Sequence, residues 1–255
     1  MNSIFLQNTR FSIALYLLFT IVFIGLAGCK KEDTATHSPV LVHFQTTVRG
    51  AEILPGTGEY QNSFGQTFRF DMLKYYISNC ALIDANGEAF ELANHHLIDI
   101  EEPSTATLAF DSIPNKSYTH FRFFVGIDPQ HNHDGDQEGA LDPVHGMLWS
   151  WNTGYIFYKH EGSYLNAAGE WKQLLFHYGT DEAYTEVIIP VDGIDLNGKE
   201  RSVFLNFDIG KLYDEPNAID FFVDNARQSV SATDRDWLAK QKENVPNAFS
   251  FDRFE

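Results

Sequence analysis

VLVHFQTTV, Val40 to Val48, settles the fold class: Val40, Val42, Phe44, Thr46 and Val48 fall on one face, Leu41, His43 and Gln45 on the other. An apolar period of two is a half-buried β-strand, because successive side chains leave a pleated chain on opposite sides. The same reading extends to Thr67–Met72, Tyr75–Ile83, His96–Ile100, Thr119–Ile127, Tyr155–Lys159, Gln173–Tyr178, Thr185–Ile189 and Ser202–Asp208. Turn formers separate these runs at Pro55-Gly56, Asn86-Gly87, Ile113-Pro114-Asn115 and Asn197-Gly198. Many short strands with such turns predict an all-β domain over residues 40–255, an antiparallel β-sandwich or a barrel-like closure. One short helix is expected near the C-terminus, Asp234–Glu243, with Thr233 as its N-cap.

The N-terminus reads differently. Arg10 precedes the apolar run Phe11–Ile24, and Leu26-Ala27-Gly28 sets small residues before Cys29. Positive charge, apolar run and small-residue cleavage site are the three parts of a secretory signal, here residues 1–28. Leu-Ala-Gly-Cys resembles the lipobox of bacterial lipoproteins, so Cys29 is the expected lipid attachment point and residues 29–39 a polar tether. The only other cysteine, Cys80, lies in an apolar strand and is read as a buried, inert thiol. With Cys29 acylated no intrachain disulfide can form, and stability has to come from burial.

The chain carries a formal net charge of −17, and removing the leader takes Arg10 with it and leaves −18. Such a surface lacks the clustered Lys and Arg that phosphate binding needs, which excludes nucleic acid and anionic lipid as partners. The membrane is expected to be met through the lipid anchor alone, on the outer membrane at its periplasmic side or at the cell surface.

The densest chemistry lies in Asp142–Gly162, DPVHGMLWSWNTGYIFYKHEG. Aromatics this dense mark a core strand, yet core strands rarely carry two histidines such as His145 and His160. Imidazoles beside electron-rich rings suit copper, provided a second histidine arrives from elsewhere. Just upstream, the loop Asp128–Asp142 offers His131, His133, Asp134, Asp136 and Glu138. Its alternating Asn132, Asp134, Asp136 and Glu138 could present oxygens to calcium, although the spacing is not that of an EF-hand. A solvated acidic loop accounts for those carboxylates equally well. His177, between Phe176 and Tyr178, faces away from both, and on residue pattern alone it is an ordinary strand histidine. No Gly-x-Ser-x-Gly, His-Glu-x-x-His or Gly-rich phosphate loop occurs, and no catalytic role is expected.

Several segments together resemble the methanobactin-associated periplasmic proteins, the MbnP-like copper-binding family. The resemblance rests on FDMLKYYISN (Phe70–Asn79), Leu97-Ile98-Asp99, FRFFVGID (Phe121–Asp128), Asn132-His133-Asp134 and GALDP (Gly139–Pro143). It continues through GMLWSWNTG (Gly146–Gly154), Tyr155, Lys159–Gly162, Phe176–Gly179 and Phe207–Leu212. These follow the family's order over roughly residues 40–215. The resemblance implies a secreted β-rich protein binding one Cu(I), for acquisition or storage. It implies two histidine ligands and a tryptophan oxidised to kynurenine by a partner dihaem peroxidase-like enzyme. Trp149 and Trp151 match the Trp-x-Trp element, His177 the Phe-His-x-Gly element and His133 the Asn-His element; His145, four residues before Trp149, is a third candidate ligand. Tyr178-Gly179-Thr180 departs from the family's usual residues after that histidine. The rival reading is a surface lipoprotein that stacks a sugar or other small ligand on an exposed Trp149/Trp151 platform. In the copper reading one indole is instead mostly buried near His177.

Overall fold

Fifteen strands make up most of the computed structural model, which describes residues 36–92, 95–135, 137–150 and 152–255. The leader, Cys29 and most of the tether lie outside the described residues, as do Trp151 and Asp136. In chain order the strands begin with β1 (His37–Val48), β2 (Ala51–Glu52), β3 (Tyr60–Gln61), β4 (Thr67–Asp84) and β5 (Ala89–Glu91). Next come β6 (His95–Asp99), β7 (Thr107–Pro114), β8 (Ser117–Val125), β9 (Leu148–Ser150) and β10 (Gly154–Leu165). The last are β11 (Trp171–Gly179), β12 (Thr185–Asp195), β13 (Arg201–Asp208), β14 (Ala226–Gln228) and β15 (Phe249–Phe254). Residues from Thr36 onward form one compact unit. Among them no helix is long and apolar enough to cross a membrane.

Two sheets result. The smaller runs β15-β13-β1-β2 with β7 beside β1; the larger runs β12-β8-β4-β10-β11-β14 with short strands added along β4 and β10. The arrangement is sandwich-like, and no sheet closes into a barrel. Not every pairing is antiparallel: β1 pairs β13 in parallel from Val40↔Arg201 to Thr47↔Asp208, and β11 pairs β14 in parallel. Alternation fixes which side chains are buried but carries no strand direction, so the mixed character was invisible in the sequence.

Alternation turned into burial as expected. Val40, Val42, Phe44 and Val48 of β1 are buried. Phe44 meets Phe123 of β8 edge-on at 5.6 Å, and Tyr75 of β4 meets Phe207 of β13 at 4.7 Å, so aromatic rings close the space between the sheets. Thr67–Met72 and Tyr75–Ile83 are not two strands but one, β4, which pairs β10 over Phe68–Tyr75 and β8 over Ile77–Asp84. A bulge between Ser78 and Ala81 follows that changeover; Asn79 takes φ of 49° there, and its amide donates to the Tyr184 hydroxyl.

The C-terminal helix packs on the inner face of the large sheet at β10 and β11. It runs Arg235–Asn247, longer than expected, and Asp234 rather than Thr233 is its N-cap. Thr233 lies in a preceding 3₁₀ turn, where Ser231 caps by accepting from the Thr233 N–H. Trp237 stacks on Phe176 at 5.5 Å, and the Tyr158 hydroxyl donates to Gln241 Oε1 at 2.5 Å. His160 belongs to this core. It is fully buried, hydrogen-bonded to the Tyr213 hydroxyl, and 4.3 Å from the Phe70 ring. Burial drives its pKa down to about 3, so it stays neutral in the folded protein. Cys80 is buried and free, with its thiol pKa pushed up by burial, as expected of an inert core cysteine.

Candidate functional site

The large sheet's outer face carries the first site, and strand alternation puts it there. Along β11, Phe176 and Tyr178 are fully buried on the inner face, so His177 and Gly179 point outward. His177 lies opposite Lys159 of β10 and Gln228 of β14. Its Nε2 donates to Glu161 Oε1 at 2.9 Å, and Lys159 Nζ is 3.3 Å from the same oxygen. Its side chain is only 12% exposed, which suits a ligand that must shed water. Burial lowers the His177 pKa against the opposing pull of Glu161, favouring the neutral imidazole that can bind a metal.

Gly179 makes room for a ring. A Cβ there would lie 2.5 Å from the Tyr155 carbonyl oxygen and 2.7 Å from the Trp149 indole, so glycine lets both the neighbouring backbone and the ring approach the strand. Trp149 thus lies against β11 two residues from His177, half-buried, with its Nε1 buried and without a hydrogen-bond partner among the described residues. Trp151 lies outside the described residues, so the shared exposed platform of the sugar reading has only its Trp149 half on view. That half is packed against the sheet rather than presented flat to solvent.

Ser229 links this patch to His133. Its Oγ accepts from the Gly179 N–H at 2.7 Å and donates to the His177 carbonyl at 3.3 Å. It also lines an open cavity of about 460 Å³ together with His133, Asn152 and Asp181. His133 is 39% exposed, and its Nε2 donates to Asp181 Oδ1 at 3.1 Å. His145 is half-buried, and its Nε2 donates to the Gly139 carbonyl at 2.9 Å. His177, His133 and His145 therefore hold three different partners and do not form a single cluster.

The calcium ladder fares differently. Asn132 is buried, accepts from the Tyr155 N–H at 2.7 Å and donates to Asp181 at 2.7 Å, so it ties the loop to β10 instead of facing solvent. Asp134 and Glu138 are exposed.

A second cluster escaped the sequence reading. Asp128 accepts from His95 Nε2 at 3.0 Å and from His131 Nδ1 at 2.9 Å, and the two rings lie 4.6 Å apart. Burial pushes the Asp128 pKa up, but the bonds from His131 and His95 outweigh it and hold the carboxyl at about 2. Asp128-Pro-Gln-His131 was the only local signal; His95 arrives by pairing β6 against Ser78 of β4, which no spacing reveals.

Comparison with known proteins comes last. No curated protein matches the chain by sequence. Among solved structures, MbnP from Methylosinus trichosporium is similar at 18% identity, with 70% of this chain and 78% of that one covered and a TM-score of 0.47. The MbnP family profile matches residues 37–233, nearly the whole β domain. The chain belongs to the MbnP family.

Proposed function

We propose that this protein is a lipid-anchored envelope protein that binds one Cu(I) at the end of β11, for copper acquisition or storage, without catalysing a reaction. His177 and His133 are the histidine ligands of this reading. Trp149 or Trp151, oxidised to kynurenine by a partner dihaem enzyme, stands beside them. His145 is left out, because the Gly139 carbonyl already holds its ring on the neighbouring turn.

One observation carries the reading. Trp149 is seated on Gly179, two residues from His177, and Ser229 joins both to the cavity that His133 lines. Two neutral imidazoles at low coordination number favour Cu(I) over hard cations such as Mg²⁺ and Ca²⁺. The indole nitrogen of Trp149 marks a buried polar position without an acceptor among the described residues. A bound copper would gain its nitrogen ligands from His177 and His133; Glu161 and Asp181 orient those rings. The leader and Cys29 supply the anchor in this reading and keep the acidic domain outside the cytoplasm.

Titration of the soluble domain, begun after Cys29, with Cu(I) against a coloured chelator tests the proposal. One tight equivalent per chain is the expected result. Competition no stronger than that of an unrelated acidic protein would reject copper binding.

A further inference from the structure

His95, Asp128 and His131 are, among the described residues, the one group of three metal-ligating side chains whose donor atoms all lie within 4.8 Å of one another. They come from separate parts of the chain: His95 opens β6, while Asp128 caps and His131 lies within the turn after β8. None of them is a ligand in the copper reading. A carboxylate accepting two N–H bonds is chemically complete as it stands, so the inference needs more than those contacts.

Two further features supply it. The loop half of the cluster is held in place: Asp128 caps the turn Pro129–Asn132 by accepting from the His131 N–H, and Gln137 Nε2 donates to the His131 carbonyl at 2.7 Å. Next to His95 lies an open cavity of about 410 Å³, lined also by His96, Gln137 and Glu138, through which a solvent ligand can reach the ring. The spacing also suits a metal. Ligands at 2.0–2.1 Å in a tetrahedron stand roughly 3.3 Å apart, close to the 3.0 and 2.9 Å separations of each imidazole nitrogen from the carboxylate.

We infer that His95 Nε2, His131 Nδ1 and the Asp128 carboxylate bind a divalent first-row cation of the zinc class, with water completing the shell from the cavity side. Two imidazoles and one carboxylate form a borderline donor set, too hard for Cu(I) and too rich in nitrogen for Ca²⁺. The cation would clamp the loop after β8 onto β6. That loop carries His133 two residues beyond His131, so the clamp would also steady the candidate copper ligand.

The test uses the untagged soluble domain with Co²⁺ as a coloured stand-in for Zn²⁺, followed by Zn²⁺ competition. The expected result is one equivalent of Co²⁺ with intense visible d–d bands, displaced by Zn²⁺ and not by Ca²⁺. His131→Ala should abolish the bands, and it should weaken Zn²⁺ by more than the ~10–100-fold that loss of a supporting hydrogen bond costs. The His131 side chain is 42% exposed, so that variant should fold; Asp128→Asn, which keeps an oxygen for the turn, is the second variant and should also lose the bands. His177→Ala should leave them unchanged, which separates this site from the copper reading. Bands that survive in both cluster variants, bands lost only with His177→Ala, or wild-type binding no tighter than that of His131→Ala would each overturn the inference.

Discussion

Replacing His177 with alanine is expected to remove tight Cu(I) binding while leaving the fold intact. On the outer face of β11, His177 combines low exposure, a neutral-favouring environment and a neighbouring indole. If it supplies one of two imidazoles, its loss leaves a single nitrogen ligand. Affinity should then fall well beyond the ~10–100-fold that disturbance of an outer-shell partner costs. Stability should change little, because the ring bonds the part-exposed Glu161 and the neighbouring Gln228 side chain, and such contacts contribute about 1 kcal/mol each. Chelator competition and thermal melting on the same preparation separate the two effects. Unchanged affinity would remove His177 from the site and, with it, the argument built on Trp149 and Gly179.

Phe176→Ala should give the opposite pattern one residue away. Phe176 is fully buried and packs against Trp237, Tyr213, Phe221 and His160, with ring centroids 5.5 to 5.8 Å away. Truncating a ring in such a cluster costs roughly 3–5 kcal/mol, through lost transfer energy and the cavity left behind. Urea unfolding should show a large fall in midpoint. At pH 7 in dilute buffer the folded fraction should still take up Cu(I) with near wild-type affinity. Equal stability losses for Phe176→Ala and His177→Ala would mean that β11 is not divided into a core face and a ligand face.

That division is the part of the account most legible in the sequence. Phe176, His177 and Tyr178 alternate, and the fold places them as the alternation demands. The same rule located β1 and β13 but could not say that they run parallel, because side-chain period two is blind to direction. It also missed β7 (Thr107–Pro114) and β15 (Phe249–Phe254). Asp111 sits exposed in β7, Asp252 and Arg253 sit exposed in β15, and the apolar half of each alternation is short.

The site was legible only where ligand and neighbour are close in sequence or in motif. Trp149 and His177 could be named from motifs, yet what joins them to His133 is Ser229, 52 residues beyond His177 and brought in by the parallel pairing of β14. His160 shared a segment with Trp149 and looked equally chemical. The inward face of β10 makes it a core residue bonded to Tyr213, 53 residues away. The His95–Asp128–His131 cluster is the extreme case, since two-thirds of it sits in one loop and the last member depends on β6 pairing with β4.

The most direct measurement is metal content and intact mass on the protein released from its native envelope. The account predicts one copper per chain and a mass in which one tryptophan has lost a carbon and gained an oxygen. Peptide mapping should place the change at Trp149 or Trp151. Protein free of copper that also refuses Cu(I) on reconstitution would contradict the central claim.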